Sequence, residues 1–169
     1  MMNLLFSPAG RIGPSAYMKG MLVLGGISAL LSLLLLTRSL AVITVAGFAS
    51  LLLLIPLVML GIKRSHDAGK TGWMSLAHVA VYFGISFLIG LLFAAIGLSA
   101  EPDPALTEGV TDAGEILRIT AEAAGDAAIP SAISGFLTFA ATAFIVNMLN
   151  PHDPTPNQYG NTLDATTFE

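Results

Sequence analysis

Two His-Asp pairs, His66-Asp67 and His152-Asp153, have the widest chemical repertoire in this chain. An imidazole beside a carboxylate can exchange protons, and two such pairs together would offer nitrogen and oxygen donors suited to a divalent metal. Their surroundings favour plainer roles. The first pair lies in KRSHDAGKTGW, residues 63–73, among Lys63, Arg64, Lys70, two glycines and Trp73. Its GKT is not the end of a phosphate-binding loop, because that loop needs a glycine five residues before Gly69, where Arg64 stands. The second pair is surrounded by Pro151, Pro154 and Pro156, which favour an extended path over a preorganised ligand set. The expectation is no catalytic residue, no metal and no cofactor. Asp67 should instead pair with Arg64 or Arg11, His66 should hydrogen-bond locally, and His152 should travel in a mobile tail.

The elements that must position these residues are membrane helices. The chain has 169 residues, 54% hydrophobic and 11% charged, with a mean hydropathy of +0.79. A soluble domain carries about 25% charged residues. Cysteine is absent, which excludes disulfides and thiolate chemistry. A net charge of −4 lacks the basic footprint of a nucleic-acid binder. Four apolar blocks, Ala16–Leu36, Leu40–Ile62, Trp73–Leu98 and Ile129–Leu149, each approach the ~20 residues that cross a bilayer as helix. The first follows a polar lead and reads as an uncleaved signal anchor. The expected fold is an all-α membrane protein, a small bundle of four transmembrane helices spanning residues 1–150, followed by a polar, Pro-rich cytoplasmic tail over 151–169.

Orientation follows the cations. Arg11, Lys19, Lys63, Arg64 and Lys70 fall on one side, Arg38 and Arg118 on the other, which predicts cytoplasmic termini. The long acidic connector 99–128 is then external. Asp112 with Glu115 resembles a capping pair that opens a short interfacial helix, whereas Gly114 and Gly125 favour a mobile loop; both readings stand. Small residues at Gly25 and Ala29, Ser28 and Ser32, Ser86 and Gly90, and Gly90 and Ala94 predict close helix contacts. Pro56 predicts a kink. His78 and Asn147 lie near the cytoplasmic boundary and should form interfacial hydrogen bonds, and Lys19 can snorkel.

Arg64-Ser65-His66-Asp67, then Gly69 and Thr71-Gly72-Trp73, resembles the Arg-x-His-Asp-x-Gly-x-Ser/Thr-Gly-Trp signature of the bacterial inner-membrane family known as domain of unknown function 805, the YhaH-like proteins. FSPAGRIGPSAY, residues 6–17, is similar to that family's opening segment, and Asn157-Gln158-Tyr159-Gly160 to its closing one. The resemblance implies a multi-spanning inner-membrane protein and supplies no activity. It gathers Gly10, Arg11, Arg64, His66, Asp67, Gly69, Thr71, Gly72, Trp73, Asn157, Tyr159 and Gly160 into one cytoplasmic cluster. The leading expectation is a non-enzymatic protein whose cluster locks the bundle and binds another membrane protein or anionic lipid, with Arg11, Lys63, Arg64 and Lys70 addressing the headgroups. A small-solute transporter is the alternative, and a metal-dependent interfacial enzyme comes third.

Overall fold

The computed structural model describes residues 5–98, 109–160 and 162–163. A two-residue strand, β1 (Arg11–Ile12), leads into α1 (Pro14–Leu33), where Pro14 occupies the first turn and its missing N–H costs nothing. A 3-10 turn, Leu34–Thr37, extends this span. The second span is two helices, α2 (Leu40–Leu52) and α3 (Leu54–Asp67). The third is a 3-10 turn, Gly72–Met74, running into α4 (Ser75–Ala95). A short α5 (Ala113–Asp126) precedes the fourth span, α6 (Ala128–Leu149), and β2 (Thr162–Leu163) pairs in parallel with β1. The four spans run 24, 28, 24 and 22 residues, each long and apolar enough to cross a bilayer.

Pro56 breaks the second span one turn upstream of itself. It has no N–H to offer the carbonyl of Leu52, and its ring crowds that carbonyl. The helix therefore interrupts at Leu53, whose N–H reaches Ser50 O at 3.1 Å, and resumes as Leu57 N bonds Leu53 O at 3.1 Å.

The apolar pattern is that of a protein solvated by lipid. Leu30, Phe48, Phe87 and Phe144 face outward, each more than 60% exposed. The packed core, Ile12, Ala16, Tyr17, Met21, Leu24, Leu57, Leu60, Phe139, Ala143 and Val146, lies where the start of α1 meets the ends of α3 and α6. The most extensive helix–helix packing is between α1 and α6. A Cβ on Gly25 would stand 3.2 Å from both Phe136 and Phe139, and one on Gly135 would stand 2.8 Å from Ser28 Oγ. Ser32 returns its hydroxyl to Ser28 O at 3.0 Å. The other expected small-residue contacts are not made. Ser86, Gly90 and Ala94 are exposed, because α4 turns only Ser75 and His78 fully inward.

Residues 99–108 of the long connector lie outside the described residues. The rest resolves the choice between helix and loop. Asp112 Oδ1 caps Glu115 N at 3.0 Å, and Ile119, Ala121 and Gly125 are buried against those ends of the first, second and fourth spans that lie away from Asp67. Gly125 makes room there, since a Cβ would sit 2.6 Å from Arg38 Cγ and would displace that side chain. Arg38, at φ 53°, turns the chain between the first two spans and pairs with Asp126 at 2.6 Å. Arg118 bridges Glu115 and Glu122 along the exposed face, and its hydrogen bond and charge hold the Glu115 carboxyl below the usual range.

Gly25→Val should overpack the α1–α6 seam and lower stability by about 1–3 kcal/mol. Gly26→Val, where a Cβ meets nothing within 4 Å, should leave it nearly unchanged. Thermal unfolding in detergent compares the two, and equal effects would contradict the seam.

Candidate functional site

Asp67 is the last residue of α3 and is fully buried. Leu60, Lys63, Arg64 and Asp67 recur at helical spacing, so one face of α3 turns an apolar residue and three charges inward together. The helix then ends in a tight reversal. Gly69, at φ 69°, sends its N–H to His66 O at 3.1 Å, while Lys70 N reaches Ser65 O at 2.9 Å. This is the paired bonding that a left-handed glycine makes possible at a helix C-terminus. Gly72 lets the returning chain pass close to His66, where a Cβ would stand 3.3 Å from Nε2.

The Asp67 carboxylate collects three partners: one from its own helix and two from opposite ends of the chain. Arg64 Nη1 donates to Oδ2 at 2.6 Å, and Arg11 Nη2 to Oδ1 at 3.3 Å. His152 Nδ1 lies 2.8 Å from Oδ2, and since a carboxylate only accepts, that ring nitrogen carries the proton. Both guanidinium groups are spent on further acceptors. Arg11 Nη1 donates to Thr155 O at 2.6 Å and Gly160 O at 3.0 Å, and Nη2 also reaches the carbonyls of Asp67 and Asp153. Arg64 Nε donates to Asn147 Oδ1 at 2.8 Å, and Nη2 to the carbonyl of Asn150. Arg11, Arg64 and Asp67 are each 0% exposed.

Further hydrogen bonds tie the helices to these groups. Asn147 Nδ2 donates to Pro14 O at 3.1 Å, joining α6 to the start of α1. Lys70 Nζ donates to Asn150 Oδ1 at 2.9 Å, and Asn150 Nδ2 meets His78 Nε2 at 3.1 Å. His66 donates from Nδ1 to Gly10 O at 3.2 Å and stacks on Tyr159, the rings 3.8 Å apart and 7° from parallel. Asn157 Nδ2 bonds His66 O at 3.0 Å, and Asn157 bridges to Gly160 to form the closing turn. Gly10 and Gly160 hold positive φ at 88° and 100°, as the two chain reversals beside Arg11 require.

Eight of the residues expected to cluster therefore meet: Gly10, Arg11, Arg64, His66, Asp67, Asn157, Tyr159 and Gly160. Gly69 and Gly72 shape the turn. Thr71 and Trp73 point away, with Trp73 79% exposed. Three expectations need correction. His152 is not in a free tail, because Asp67 fixes its ring and Arg11 binds the carbonyls on either side of Pro154. Arg11, Lys63 and Arg64 do not face lipid headgroups, being 0%, 1% and 0% exposed; the inward face of α3 and the surrounding acceptors take them instead. The residues beyond 150 do not form a separate tail through 160, since they pack onto the start of the chain.

Asn150 and the docked His152 escaped sequence reasoning. Asn147 and Asn150, three apart at the end of an apolar helix, were a readable signal. The carbonyl acceptors of 153, 155 and 160 have no side-chain signature. Among the described residues, no group of three His, Asp or Glu could hold a metal ion. A groove of about 370 Å³ beside Val58, Ile62, Trp73, Ser75 and Leu76 is lined by no charged residue.

Four membrane-spanning helices closed at one end by a buried ionic cluster define a multi-pass integral membrane protein. The chain belongs to the family described as protein of unknown function DUF805, whose model matches residues 5–161. No curated protein and no solved structure matches it.

Truncating one partner of a buried ion pair costs about 3–5 kcal/mol. Asp67→Ala, Arg11→Ala and Arg64→Ala should each lose that much, and the double variants with Asp67→Ala should lose clearly less than the sums. Denaturant unfolding in detergent measures the cycle, and strict additivity with both arginines would contradict a shared lock. Acid should also loosen the closing segment. Thr155 donates its hydroxyl and N–H to Asp153 Oδ1, at 2.6 and 3.0 Å, which holds that carboxyl below the usual range. A carboxyl depressed by folding stabilises while ionised, so the contribution is present at neutral pH and lost as pH falls through the folded value. Exchange of the Thr155 amide should outpace its intrinsic rate law in acid for the parent chain but not for Asp153→Asn.

Proposed function

We propose that this is a non-enzymatic protein of the bacterial inner membrane, with both termini and the Asp67 cluster in the cytoplasm, where the cluster locks the bundle and offers a docking face to another membrane protein. The observation that carries this reading is the commitment of Asp67. Its oxygens are taken by Arg11, Arg64 and His152, and the two guanidinium groups also donate to carbonyl and amide oxygens of the closing segment and of α6. A catalytic carboxylate or imidazole needs a free edge for its substrate. His66 commits Nδ1 to Gly10 O and one ring face to Tyr159.

Orientation rests on Arg11, Lys19, Lys63, Arg64 and Lys70 against Arg38 and Arg118. Anionic lipid is the lesser partner. Only exposed Lys19 and part-buried Lys70 remain near that surface, and each is worth about 1 kcal/mol towards an acidic leaflet. A protein partner can instead read the shaped surface of the closing turn around Asn157 and Tyr159.

The absence of native cysteine makes orientation directly testable. A membrane-impermeant thiol reagent added to intact cells should label Glu122→Cys and spare Gln158→Cys until the membrane is opened. The reverse pattern would overturn the orientation. Purification in mild detergent should retain one membrane protein in stoichiometric amount, lost in Tyr159→Ala; retention of phospholipid alone would contradict the docking role.

A further inference from the structure

Residues 151–160 are held in an unusual way. None of them is buried, yet they cover Arg11 and Asp67, which are fully buried. Their attachment is almost wholly polar. Arg11 grips the carbonyls of Asp153, Thr155 and Gly160, Asp67 O accepts from Asp153 N at 3.3 Å, and Asn157 Nδ2 donates to His66 O. His152 on Asp67 and Tyr159 on His66 add to Asn157 two further side-chain contacts with the seat. Segments that bury little apolar surface open at a free energy well below that of global unfolding. Most of the contacts would suit any extended backbone, because they are made to main-chain atoms.

We propose that residues 151–160 form a releasable strap, and that the seat beneath it is a peptide-binding site that takes an extended segment of a partner protein through the same contacts. This rests on the reading of the cluster as a protein-docking face. Release strips Arg11 of three carbonyl acceptors and Asp67 of His152. A guanidinium left short of acceptors in a half-dry site is unfavourable, so the open seat favours capture of another backbone over standing empty. An aromatic side chain opposite His66 and an asparagine two residues earlier, as in Asn157 and Tyr159, set the sequence preference. Recognition by main-chain contacts with pockets for a few side chains is an established way to bind extended peptides.

Hydrogen exchange on the full chain in detergent tests both parts. Amides of 152–160 should exchange at least 100-fold faster than those of 138–146 in α6. Excess synthetic peptide of residues 150–160 should accelerate exchange and proteinase cleavage of the chain's own strap. The same peptide carrying Tyr159→Ala should act at least 10-fold more weakly, and inorganic phosphate should not act at all. Strap exchange at the α6 rate would overturn the release, and a silent peptide or an equally active phosphate would overturn the peptide site. The thermodynamic coupling of Asp67 to its arginines would survive either result, so this inference can fail while the lock stands.

Discussion

One carboxylate organises the polar end of this molecule. An ionised group removed from water is stable only when its charge is matched and its lone pairs are filled. Asp67 meets that requirement by drawing Arg11 from the start of the chain, Arg64 from its own helix and His152 from beyond the last span. Each partner is then obliged to satisfy its remaining N–H groups. Arg11 does so through Nη1 and Nη2 on the carbonyls of the closing segment, leaving Nε without a partner among the described residues, and Arg64 turns to Asn147 and Asn150 at the end of α6. The short β1–β2 pairing and the Tyr159 stack follow from where those demands place the backbone.

The same logic explains why the apolar core is lopsided. Lipid solvates leucine as well as another leucine does, so hydrophobicity alone cannot draw membrane helices together. Close packing occurs where small residues admit it, at Gly25 and Gly135 between α1 and α6. It also occurs next to the ionic end, where α1, α3 and α6 are forced into contact. The part of α4 beyond Tyr82 has neither device and faces outward. At the opposite end, α5 is held by a cap, a glycine and the exposed pair of Arg38 with Asp126, which is worth little beside a buried one.

Much of this was legible in the sequence. Apolar run length marks four spans within a few residues, Pro56 marks the break, and Asp112 with Glu115 marks the start of α5. The pairing of Asp67 with an arginine follows from charge scarcity in an apolar chain. Three things were not legible, each for a physical reason. Lys63 and Arg64 look like headgroup ligands until the helical phase of α3 shows them turned inward. Ser86, Gly90 and Ala94 have the spacing of a packing motif but no helix opposite them. His152 looks untethered among prolines, because the contacts that fix its segment are main-chain carbonyls, which have no sequence signature.

The central claim is that Asp67 holds the two ends of the chain together, and a distance measurement across that junction tests it most directly. Nitroxide labels at Ala9→Cys and Gln158→Cys in this cysteine-free chain can be read by pulsed electron–electron double resonance. The account predicts a single narrow distance distribution in the parent protein and a broad one after Asp67→Asn, which keeps the side chain's shape and removes its charge. A distribution that stays narrow in Asp67→Asn would contradict it.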